Sequence, residues 1–231
     1  MADPAKTNSA SGSSALATVT ATFGFTATAG RLLVVAVSAD DYKTGDPSGY
    51  TLSTGAAQQA YLGHYVWWKI AAGGETSVQY SLGGAAPSAW VVAEYSNIEA
   101  SGSLDVSGGQ ISTVSNNVYT TPAVTPSTGA RLAIASMAAM TATASTFTGM
   151  DTWLNSYVED AESINNAGAS REIVGLASLV LTGNGSSTTS GGATVPGISA
   201  DCLSGIVLVF KAAAGGGGSP NNQRGTTLGA G

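Results

Sequence analysis

Six short apolar runs govern what this chain can fold into: residues 32–37 (LLVVAV), 65–70 (YVWWKI), 90–95 (WVVAEY), 132–136 (LAIAS), 173–181 (IVGLASLVL) and 206–210 (IVLVF). Their length and β-branched content mark buried strands rather than helices, and most have Gly, Pro, Asp, Asn or Ser on at least one side. Weaker stretches at 16–25, 76–82 and 111–124 add further strands. In the second of these, Val78, Tyr80 and Leu82 repeat with the period of two that leaves one face wet. Gly and β-branched residues are spread throughout, and no stretch holds an i, i+3, i+4, i+7 stripe. Residues 151–157 alone suggest a short helix, with Asp151 as cap and Trp153, Leu154 and Tyr157 on one face; a loop suits them equally well. The expected fold is all-β: an antiparallel β-sandwich, jelly-roll-like, with extended flexible termini.

The chain carries a weak internal repeat. Residues 30–35 (GRLLVV) correspond to 129–134 (GARLAI), and 49–52 (GYTL) resemble 149–154 (GMDTWL) with two residues skipped. Each half closes on an apolar run, 90–95 and 206–210. These features divide the chain into an N-terminal arm at 1–14, one sandwich of two similar halves at 15–211, and a Gly-rich tail at 212–231. Two separate domains are the alternative, but so few core aromatics per hundred residues favour a fused core. The tail includes a GGGGS segment at 215–219, which reads as a flexible linker, natural or engineered.

Only 10% of the residues are charged, and the net charge is −6 with eight Lys and Arg. Nucleic acids and anionic membranes need a concentrated basic face, so neither is an expected partner. The surface expected here relies on hydroxyls and backbone, as in extracellular proteins and virus particles. The first residues have no apolar segment of a secretory signal, and no run approaches the roughly 18 residues of a membrane helix. Release inside an assembled particle accounts for that combination; a signal replaced by an initiating Met is the competing account. Cys202 is the only cysteine, which excludes an internal disulfide or a multi-cysteine metal site, and its place before an apolar strand predicts burial.

Candidates for chemistry are few. His64 is the only histidine, so any Ser-His-Asp or Cys-His arrangement must use it, and its aromatic neighbours predict a packed histidine. Neither a catalytic group nor a bound cofactor is expected. The carboxylates to weigh are Asp40, Asp41, Glu94, Glu159, Asp160 and Glu162. Asp40 and Asp41 suit turn chemistry; with Asp46 they also offer oxygens for a Ca²⁺ ion, although the spacing matches no EF-hand. Glu94 has Lys69 as a conceivable partner, and 159–162 reads as a solvated loop. Gly73-Gly74 and Gly83-Gly84 read as hairpin turns, because no phosphate-binding motif surrounds them. Trp67, Trp68, Trp90, Trp153 and Tyr50, with Tyr61 and Tyr65, are core residues, an interface, or a platform on which sugars stack. Trp67 and Trp68 must point to opposite faces.

The order of features at 30–35, 40–46, 47–51 (PSGYT), 65–71 (YVWWKIA), 73–76 (GGET) and 90–95 resembles a family of β-sandwich proteins among tailed-phage virion components and related bacterial surface proteins. The resemblance spans about residues 15–211 and implies a jelly-roll-like particle protein with no catalytic residues to carry over. The expected function is a non-enzymatic structural role on the virion surface, as a capsid decoration or minor tail component. Its partners would be copies of itself and other virion proteins, reached through the termini and sandwich faces. The alternative is a carbohydrate-binding or adhesion module of a phage or bacterial surface protein that engages host-surface glycans.

Overall fold

A computed structural model describes residues 2–53, 57–59, 62–112, 117–142, 146–182, 189–195 and 201–214. Among these residues there are sixteen strands and no helix. The first half holds β1 (Ala5–Ser14), β2 (Thr18–Thr22), β3 (Leu32–Ala39), β4 (Lys43–Gly45), β5 (Thr51–Leu52), β6 (Ala57–Gln59), β7 (Leu62–Ile70), β8 (Ser77–Leu82) and β9 (Ser88–Ser96). The second holds β10 (Leu104–Ser112), β11 (Val118–Thr120), β12 (Arg131–Thr141), β13 (Val158–Asn165), β14 (Arg171–Leu181), β15 (Gly192–Thr194) and β16 (Cys202–Lys211). The six apolar runs are β3, β7, β9, β12, β14 and β16. Their continuous hydrophobicity has a simple cause: each is covered on both faces, whereas β2 and β8 are covered on one and alternate.

In each half the chain passes at least twice from a large antiparallel sheet to a small one and back, giving a two-layered, jelly-roll-like unit. In the first half the large sheet runs β1-β9-β3-β7-β5, with β6 also on β7, and the small sheet runs β2-β8-β4. In the second the large sheet runs β10-β16-β12-β14-β13 and the small one pairs β11 with β15. The two orders are the same permutation. Register agrees as well: Leu32 lies opposite Ile70 and Tyr95, and Leu132 lies opposite Val180 and Phe210. The 30–35 and 129–134 correspondence thus marks the central strand of each half. The 49–52 and 149–154 correspondence is not topological, because Thr51 and Leu52 join the large sheet while Trp153 bridges Ala193 in the small one.

The large sheets pack face to face and share one core. Leu32, Val34, Val66, Val91 and Tyr95 meet Leu132, Ile134, Val174, Leu208 and Phe210 there, and burying each such side chain contributes about 1.5–3 kcal/mol. Most strand contacts between the sheets are reciprocal: β9 against β14 and β16 against β7, β3 against β14 and β12 against β7, β1 against β13 and β10 against β6. The contact of β9 with β13 has no counterpart of comparable extent among the described residues. β3 meets its own counterpart β12. This pattern is that of an approximate internal two-fold relation between the halves.

Each small sheet covers the outer face of its large sheet, and the two outer cores are filled differently. In the first half the bulk comes from the strands, as Tyr65, Trp67 and Trp90. Their register counterparts are Gly175, Ala177 and Gly205. Met150 and Trp153, from the loop before β13, occupy that space, since a Cβ on Gly175 would stand 2.7 Å from Met150 Sδ and 3.0 Å from Trp153 Cζ2.

Several local expectations are revised. Ala5–Ser14, read from composition as part of an arm, is an edge strand paired along its length with β9. Backbone pairing needs no apolar side chain, and small polar residues suit its wet face. Residues 151–157 form a loop, with Asn155 and Ser156 at positive φ, a conformation that no helix tolerates. The acidic run 159–162 is within β13, with a bulge between Glu159 and Ala161. Gly73-Gly74 and Gly83-Gly84 link strands of different sheets, so they are corners rather than hairpins. At the other end Ala212 bridges Ile98, and the GGGGS segment lies outside the described residues.

Candidate functional site

His64 projects from β7 into the central core, where Nδ1 meets Ser204 Oγ at 2.8 Å and Nε2 meets Ser136 Oγ at 2.9 Å. It is fully buried, and burial lowers its pKa to about 3, so the ring is neutral and uses both nitrogens within the protein. Beside it, opposite on β3, Ser38 donates to Glu172 Oε2 of β14, and Ser170 donates to Asp40. Burial raises the Glu172 carboxyl well above its usual range, against the pull of the Ser38 bond. Cys202 is buried nearby, its thiol raised to about 11 by burial and by the Glu172 charge.

Glu94 is fully buried on β9 and accepts from Thr28 N (2.7 Å), Thr7 Oγ1 (2.6 Å), Asn8 Nδ2 (2.7 Å) and Arg31 Nη1 (2.9 Å). Burial pushes its carboxyl up, but these donors outweigh it and hold the pKa at about 2. Its ion partner is Arg31; Lys69 pairs with Glu75 instead. Asp160 accepts from Tyr95 Oη at 2.6 Å, Trp153 Nε1 donates to Glu159, and Met150 N–H donates to Glu162. Asp41 receives the Tyr42 and Gly84 N–H groups, while Asp46 receives Trp67 Nε1 and pairs with Lys43. The Asp40, Asp41 and Asp46 carboxylates therefore serve separate partners. Among the described residues no three acidic, His or Cys side chains group to hold a metal ion.

The aromatic residues are divided among layers. Trp67 stacks between Tyr65 and Tyr80 in the first outer core, and Trp68 meets Phe210 edge-on in the central core. Trp90 lies under β1, and Trp153 packs in the second outer core. No shared platform of these four exists, and Tyr61 lies outside the described residues.

Tyr50 has a different setting. It lines an open polar cleft of about 410 Å³ at the mouth between the large and small sheets of the first half. Asp46, Ser48, Lys69, Glu75 and Gln79 also border it. Lys69 Nζ bonds Glu75 Oε1 at 2.7 Å and sits 5.2 Å from the centre of the Tyr50 ring, a cation–π distance. Burial would raise the Glu75 carboxyl, but Lys69 and backbone N–H groups hold it down to about 2. Tyr50 Oη is out of contact with solvent and has no hydrogen-bond partner among the described residues. Its pKa is raised by burial and by the nearby Glu75 charge.

The internal two-fold relates this cleft to a second one, lined by Asn155, Leu179, Leu181, Thr189 and Ser190. Lys69 lies opposite Leu33 and Leu179 opposite Ala133, at equivalent places in the two sheets. Sequence reasoning singled out Tyr50 but not Glu75 or Gln79 as site residues. The only signal for them is the polar phase of β8, where Ser77, Gln79 and Ser81 alternate with Val78, Tyr80 and Leu82. No family model, curated protein or solved structure matches the chain.

Proposed function

We propose that this chain is a structural component of a phage virion surface, a capsid decoration or minor tail protein that acts by assembly. The observation that carries this reading is the use made of its reactive side chains. His64, Glu94, Glu172 and Asp160 are all buried and hydrogen-bonded within the protein, where they join strands and sheets. A chain that spends its acid–base groups on its own frame is built for shape. The covered sheet edges fit the same role. Lys6 and Ser9 of β1 donate to Asp160 O, while Ser163 and Asn165 of β13 donate to Gly12 O and Ser14 O. Copies packed at high density then lack one route to uncontrolled strand pairing.

The partners in this reading are other virion proteins and further copies of the chain, reached through the termini and sandwich faces. Light scattering on the purified full chain over a range of concentrations, with co-sedimentation on particles lacking it, tests the proposal. A trimer or larger closed oligomer that binds the particles is expected. A monomer at every concentration that leaves the particles bare would overturn it.

A further inference from the structure

We propose that the cleft bordered by Tyr50, Lys69 and Glu75 binds a neutral saccharide. Its volume of about 410 Å³ falls within the range of small-ligand sites, roughly 300–1,000 Å³. Its charges are already matched, Lys69 with Glu75 at 2.7 Å and Lys43 with Asp46 at 2.8 Å. A phosphate or carboxylate ligand would have to compete with those carboxylates for the cations. A neutral polyol does not.

The cleft presents both hydrogen-bonding senses. Lys69 keeps donors beyond the one given to Glu75, Glu75 and Asp46 offer acceptor lone pairs, and Gln79 and Ser48 offer both. Tyr50 Oη is closed off from solvent, so the residue offers the cleft its half-buried ring rather than its hydroxyl. A sugar ring packed on that aromatic surface would lie beside Lys69 Nζ, with the polar groups of the cleft around it.

The second half supplies a control within the molecule. The same corner is built there with Leu179 in place of Lys69, so the fold does not require the Lys69–Glu75 pair or its arrangement beside Tyr50. The charged, hydroxyl-rich version belongs to the first half alone. Of the described residues from which a sugar platform was expected, Tyr50 alone lines this cleft, and the proposal is independent of whether the chain assembles.

The test is an NMR titration of the full chain with glucose, galactose, mannose and N-acetylglucosamine and with maltose, cellobiose, lactose and chitobiose. Inorganic phosphate serves as the anionic comparison. At least one sugar is expected to shift amides at 45–50 and 69–81 and to leave 155 and 179–190 unmoved. Tyr50→Phe keeps the ring and is expected to fold and to bind as the parent does, whereas Tyr50→Leu removes the aromatic face and is expected to weaken binding by about fivefold to tenfold. Gln79→Ala, at a wet position of β8, tests the opposite wall and is expected to weaken binding as well. Absence of shifts with every sugar would overturn the proposal. So would shifts that Tyr50→Leu leaves at full strength, or a preference for phosphate at the same residues.

Discussion

His64 and Glu172 give the core opposed pH responses, and the histidine's is the one that weakens the fold in acid. Its folded pKa of about 3 lies below the ordinary 6.5, so below pH 6.5 the unfolded chain takes up a proton that the folded chain refuses. The resulting loss is about 1.4 kcal/mol per pH unit, fully absent above pH 6.5 and accumulating down to pH 3. His64→Gln keeps a polar side chain but misaligns it between Ser136 and Ser204. It is expected to lower stability at neutral pH by about 1–3 kcal/mol and to remove the histidine's destabilising share between about pH 7 and about pH 5, leaving the opposite response of Glu172, as urea unfolding at the two pH values would show. An unchanged slope would mean that another group carries it. Burial of this histidine was legible from its aromatic neighbours. Its serine partners were not, because Ser136 and Ser204 are 72 and 140 residues away in sequence and only the face-to-face packing of the large sheets brings them near. The same holds for the cleft: Tyr50 was a visible aromatic, but the Lys69–Glu75 pair spans a corner between sheets that no local pattern describes.

At the scale of the element, β1 shows how a strand with almost no apolar residues is held. Glu94 binds Thr7 and Asn8 from below, β13 caps its outer carbonyls, and its middle lies on Trp90. That contact depends on Gly12, where a Cβ would stand 2.5 Å from Trp90 Cζ2. Gly12→Ala is expected to lift β1 and cost about 1–3 kcal/mol, with faster amide exchange along 9–14 and little change in β3. Ser11→Ala, on the other side of the strand, is the control and is expected to be nearly neutral. The apolar strands were legible because each is hydrophobic in its own right. β1 was not, because its pairing partner, and not its composition, makes it a strand. The acidic stretch of β13 was misjudged for the same reason: Asp160 is buried where Tyr95 from the opposite sheet and Lys6 and Ser9 of β1 meet it.

For the whole molecule, the repeat seen faintly in sequence is nearly complete in topology. It is faint because the two halves exchanged the source of bulk, with strand aromatics at Tyr65, Trp67 and Trp90 in one and loop residues Met150 and Trp153 in the other. Similarity of sequence fades when volume moves between elements, while strand order persists. The shared core implies that neither half is independent. A fragment of residues 1–101 is expected to lack a cooperative unfolding transition by circular dichroism, and mixing it with 102–231 to restore one. A cooperative transition in the isolated fragment would mean that the central core is dispensable.

The short connection from β9 to β10 gives the internal two-fold a kinetic meaning. Two untethered halves would meet in a second-order reaction and separate on dilution. Joined through residues 97–103, they meet at an effective concentration on the order of millimolar, whatever the amount of protein present. The pairing of the two sheets is therefore first order, and it is as complete in the first copy synthesised as in the last.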